Sequence, residues 1–197
     1  MKQRTLELTT LGLFGAIITI MSFVPQLGFI TLGVIELTII HIPVLIGGYF
    51  GGKKVTIGLA LIFGFSSFIQ SLLRGTGFSI FFQNPLMSVV PRLLFGIALV
   101  LLISATNKFI KNKLLGLIIS FSVSTLFHTI FVMSFIFYLG PIFYPVLFND
   151  FFPPNFPLTQ VLWIVMGTNG FFEIIAAVLV AVPIALRISA ANPFQES

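Results

Sequence analysis

The sequence contains no cysteine, and that absence removes disulfides, thiolate catalysis and cysteine-ligated metals from consideration. Charge is almost as scarce. Only 8% of the residues are charged, against about 25% in an ordinary soluble domain. Five acids and ten bases cannot clothe a soluble chain of 197 residues that is 57% hydrophobic, and the mean hydropathy of +1.14 points the same way. The composition is that of an all-α integral membrane protein. No nucleophile–base set and no metal-ligand spacing is present, so no catalytic residue, metal or cofactor is expected.

What is there is a series of apolar runs. A helix needs about 20 residues to cross a bilayer, and the runs predict six spans, near 6–24, 36–52, 55–73, 85–106, 114–139 and 159–187. The polar start, Met1-Lys2-Gln3-Arg4, leads into the first run without a small-residue cleavage site, so it reads as a span and not as a leader. If the N-terminus is inside, Lys2, Arg4, Lys53, Lys54, Lys108, Lys111, Lys113 and Arg187 all fall on cytoplasmic segments, and only Arg74 falls in an outer loop. The positive-inside rule then places both termini in the cytoplasm. This distribution accounts for the net charge of +5 without nucleic acid. Residues 1–197 read as one six-helix domain of a multi-pass cell-membrane protein. Outer connections are expected near 25–35, 74–84 and 140–158, the last rich in proline and aromatics and able to cover a site.

The GGYFGGKK stretch from Gly47 has the spacing of a phosphate-binding loop, but Lys54 stands where that motif needs Ser or Thr. It reads as a glycine-rich helix end with lysines reaching for the interface. Gly12 and Ala16 make a small-xxx-small pair in the first span, suited either to packing inside the bundle or to a partner subunit. Gly15 and Thr19 repeat the spacing on a neighbouring stripe.

Arg92 is the anomaly, because it interrupts the apolar run VVPRLLFG. Counted from Pro85 at 1.5 Å per residue, it lies about 10 Å inside the membrane. An arginine at mid-membrane costs up to ~3 kcal/mol, so it must face a partner or a polar cavity. Pro91 offers no N–H to the carbonyl of Met87, which is thereby freed for another donor. An ion pair with Glu173 is one reading of Arg92. Glu173 counts deeper, at about 20 Å, which favours the other reading, a clamp for a carboxylate or phosphate. Asn84, Ser88 and Arg92 share an i, i+4, i+8 stripe, and His128, Asn169 and Trp163 are further candidates to line the same ligand site.

The six-span layout, the small-residue first helix, PQLGFITLGVIELTIIHIPVLIGGYFGGKKVTIGLALIFGFSSFIQ and FFQNPLMSVVPRLLFG together resemble the substrate-binding S-components of energy-coupling factor vitamin transporters. Within that family the chain is most similar to the pantothenate-type members. The resemblance implies a non-catalytic subunit that captures a vitamin from outside. It also implies docking through the first helix, where Gly12 and Ala16 lie, onto a transmembrane coupling subunit that carries two ATP-binding subunits. A pantothenate carboxylate would meet Arg92, and its amide and hydroxyls would meet Asn84, His128 and Asn169. Folate, a thiamine precursor, riboflavin and cobalamin remain alternatives. A rival of another class is a self-sufficient transporter coupled to protons through His128 and Glu173.

Overall fold

The computed structural model describes residues 2–24, 27–32, 35–75, 77–152 and 157–191, and the statements below concern these residues. Residues 25, 26, 33, 34 and 153–156, in two of the predicted outer connections, lie outside them.

The chain begins with α1 (Lys2–Phe23). A hairpin follows, made of β1 (Phe29–Leu32) and β2 (Ile35–Thr38) and pairing antiparallel from Phe29↔Thr38 to Leu32↔Ile35. The second predicted span therefore starts too early. Its opening residues belong to β2, and helix begins only at His41. The short FITL and IELT runs, with their β-branched residues, suit a pleated pair better than a helical turn. Gly28 fixes the entry to this hairpin, because a Cβ there would stand 2.4 Å from the Met21 carbonyl oxygen.

From His41 the helix α2 (His41–Arg74) runs through the GGYFGGKK stretch, but Gly52 breaks it at φ 73°. Residues eight apart touch across this break: the Thr56 hydroxyl donates to the Gly48 carbonyl at 3.1 Å. In a straight helix they would be about 12 Å apart. The helix thus doubles back at Gly52 into two arms, 41–51 and 53–74. The left-handed φ is open to glycine at little cost and strained for other residues.

A 3₁₀ segment (Gly77–Gln83) leads to α3 (Pro85–Phe109), which starts with proline in the first turn and is capped by Asn84. The second arm of α2 and α3 run antiparallel, since Ser88 donates to the Gly64 carbonyl while Gly96 lies against Ala60. After α4 (Lys113–Phe143) and the short α5 (Pro145–Phe151), a last rod is assembled from α6 (Leu158–Val165), α7 (Phe171–Ala176) and α8 (Val182–Ala191). Two π-turns, Met166–Gly170 and Ala177–Ala181, join these pieces. Five helices among the described residues are long and apolar enough to cross a membrane, one of them the doubled-back α2.

The larger core gathers Ile18, Leu45, Leu59, Phe95 and Phe121 from α1 to α4 and Ala181 from the second π-turn. A second core, with Phe81, Met87, Ile136 and Phe148, closes the end that holds the 3₁₀ segment and α5. Basic residues from several helices gather at the opposite end. Arg4 and Lys54 line one groove of about 720 Å³ there, Gly48 lies against Leu99, and Lys113 bonds Ser189.

Candidate functional site

Arg92 is 2% exposed and sits where α3 passes α2. Its Nη1 donates to the Met87 carbonyl at 3.1 Å, the carbonyl that Pro91 leaves without a helical donor. The guanidinium carbon also stands 4.4 Å from the Phe82 ring centroid and 5.4 Å from that of Phe63, within cation–π range. Its Nε has no protein partner.

From Arg92 a row of flat groups runs across the bundle. Phe63 stacks on His128 at 5.5 Å, and His128 stacks on His41 at 5.8 Å. Phe95 meets both imidazoles edge-on. His41 is the first residue of α2 and wholly buried; neither of its ring nitrogens, nor either of those of His128, makes a well-formed hydrogen bond, although the backbone of Thr38 and of Glu173 stands close to the His41 ring. The Thr125 hydroxyl on the same face of α4 is also unpartnered, as is that of Ser67 on α2. A buried polar atom without a partner costs about 1–3 kcal/mol, and native proteins hold few of them. Several such atoms along a row that begins at a buried guanidinium are the arrangement expected where a polar ligand supplies the missing bonds.

Glu173 does not pair with Arg92. Its Oε1 accepts from the Thr38 backbone N–H and its Oε2 from the Thr129 hydroxyl, both at 3.0 Å. The carboxylate thereby ties α7 to the β-hairpin and to α4.

The structure sorts the other predicted residues. His128 joins Arg92 in the row. Ser88 is buried but its hydroxyl is spent on Gly64, a helix-packing bond. Asn84 sits at the start of α3, where its side-chain oxygen accepts from the Leu86 N–H at 2.9 Å. Asn169 lies half-buried in the first π-turn, one turn before Glu173. Trp163 is 74% exposed and faces outward, as aromatics at a membrane boundary do.

His41 and Thr125 are not among the candidates drawn from the sequence. Thr125 had a signal: Ser120, Ser124, Thr125, His128 and Thr129 form one buried stripe on α4, and a polar stripe inside a span seeks partners. His41 had none, because its place at the helix start depends on the hairpin.

On α1, Gly12 and Ala16 point away from the bundle, and nothing lies within 4 Å of a Cβ built on Gly12. Gly15 takes the inward role instead, close against Ile62. The Gly12–Ala16 pair is therefore an outer face and not a seam of this bundle.

Comparison with known proteins identifies the family. Residues 6–185 match the family described as ECF transporter, substrate-specific component. The pantothenate transporter PanT of Leuconostoc mesenteroides subsp. mesenteroides is 30% identical over 204 aligned positions, which cover 94% of this chain and 96% of its own. A bundle of apolar helices around buried, unsatisfied polar groups, with a family match spanning nearly all of it, leads to one conclusion: this chain belongs to the substrate-specific components of ECF transporters.

Proposed function

We propose that the chain is the pantothenate-binding subunit of an ECF importer in the plasma membrane. The observation that carries this reading is Arg92, a buried guanidinium with no carboxylate partner and a free Nε. A permanent cation in that position recognises an anionic ligand through paired hydrogen bonds. Pantothenate offers one carboxylate, and its amide and hydroxylated tail match the unpartnered nitrogens of His41 and His128 and the Thr125 hydroxyl. The similarity to a protein named as a pantothenate transporter supports the same ligand.

The doubled-back α2 counts as two crossings in this reading, giving six in all, with the basic end and both termini in the cytoplasm. The outward Gly12–Ala16 face of α1 lets a second helix approach closely, as small residues do between membrane helices. It serves as the docking face for a transmembrane coupling subunit, whose two ATP-binding subunits supply the energy.

Titration calorimetry of the purified chain in detergent tests the ligand. Wild-type protein binds pantothenate, and Arg92→Ala loses about 100-fold in affinity, the worth of a charge-assisted bond pair. Equal affinity in the two proteins would remove Arg92 from the site.

A further inference from the structure

Glu173 is a buried carboxyl group that the carboxylate clamp leaves unused. Its two hydrogen bonds come from neutral donors, Thr38 N–H and Thr129 Oγ. A carboxylate has about four lone-pair sites, so roughly half of its capacity to accept is unfilled. Burying an anion costs several kcal/mol unless its remaining lone pairs are also met. Its position is equally informative. Thr129 follows His128 on α4, and Thr38 shortly precedes His41. Glu173 therefore stands beside the imidazoles, through Thr38 and Thr129, whereas Arg92 stands against Phe82, and the two remain within electrostatic reach of each other.

We infer that Glu173 is a specificity-determining residue, which requires a hydrogen-bond donor at the end of the ligand remote from its carboxylate and repels a second anionic group there. This rests on the reading that Arg92 takes the ligand's carboxylate. The cation at one end and the anion at the other give the site a direction. A ligand with a carboxylate at one end and a hydroxyl at the other fits in a single orientation, since reversal would set carboxylate against carboxylate. Like charges brought together in a desolvated site cost several kcal/mol. The ligand class is thus a monocarboxylate with a hydroxylated far end, and α,ω-dicarboxylates of the same length are refused.

The test uses the full chain and three titrants: pantothenate, its analogue with the terminal hydroxymethyl oxidised to a carboxylate, and the carboxamide of that analogue as a size-matched neutral control. Wild-type protein should bind the carboxamide within about tenfold of pantothenate, and the dicarboxylate at least ~100-fold more weakly than the carboxamide. Glu173→Gln keeps an oxygen for one of the two donors and removes the charge. It should shrink the carboxamide-to-dicarboxylate ratio by at least ~tenfold while pantothenate affinity changes less than that. An unchanged ratio in Glu173→Gln overturns the inference. So does wild-type protein that takes the dicarboxylate as tightly as the carboxamide, and that measurement decides the matter even if the variant does not fold. Failure of wild-type protein to bind pantothenate at all is a different result: it overturns the Arg92 reading beneath this one.

Discussion

Two groups of polar side chains lie inside this apolar bundle, and they are treated in opposite ways. Towards the basic end, Thr106 and Ser120 share a hydrogen bond of 2.7 Å, Ser120 also reaches the Gly116 carbonyl, and Ser124 reaches that of Ser120. Thr56 closes on the carbonyls of Gly48 and Gly52 in the same manner. Each of these hydroxyls is satisfied by the protein itself, and together they fasten α3 to α4 and the two arms of α2 to each other. Around Arg92 the opposite holds, with the nitrogens of His41 and His128, the Arg92 Nε and the Thr125 hydroxyl unpartnered. The same residue chemistry is closed off where it builds the scaffold and left open at the proposed ligand site. The proposed site therefore rests on unsatisfied polarity and not on buried polarity alone.

Variants at the two groups should therefore behave as mirror images. The largest effect is expected at Arg92, where Arg92→Ala should lower pantothenate affinity by about 100-fold and also cost about 1–3 kcal/mol of stability, because the buried Met87 carbonyl loses its donor. Next is His128→Phe, which preserves the stack on Phe63 while removing two orphaned nitrogens. Binding should weaken by about tenfold, and the melting temperature in detergent should hold or rise. A fall in melting temperature with intact binding would place His128 in the scaffold. Thr106→Val should do the reverse, costing about 1 kcal/mol of stability and leaving the calorimetric affinity alone. If binding were lost instead, the boundary drawn between the two groups would be wrong. The smallest effect on binding is expected from Gly12→Leu with Ala16→Leu. This pair should leave ligand affinity and folding unchanged yet abolish co-purification with the coupling subunit and ATP-dependent uptake in vesicles.

Much of this was legible in the sequence. The apolar runs locate the helices, because length and hydropathy are local properties. Pro91 announced that the Met87 carbonyl would need a donor, and Arg92, the next residue, supplies it. The β-hairpin was not legible, since its strands are short and their apolar residues merge with the helix that follows. The partners of Glu173 were hidden for a different reason. Thr38 lies 135 positions away, and a contact of that range follows from the packing of the whole bundle, not from any pattern near Glu173. Asn84 and Ser88 do share a stripe with Arg92, yet helix capping and helix packing claim their side-chain oxygens first. Spacing finds residues that share a face and cannot tell which of them remain free.

The bond between Arg92 and Met87 has a geometric consequence. A guanidinium presents two edges to a carboxylate, one formed by the two terminal nitrogens and one formed by Nε with a terminal nitrogen. Since Nη1 is anchored to the proline-freed carbonyl, the first edge is engaged and the second, with its unpartnered Nε, remains. In the proposed binding mode a carboxylate would approach side-on, in a plane set before it arrives. A free arginine gives up about 2 kcal/mol of rotamer freedom when it is fixed, and here the fold has already taken that loss. Pro91 thus works as a jig, converting a flexible side chain into a rigid receptor. A lysine at position 92, with a single rotating ammonium, would have no second edge to offer once it had bonded to Met87.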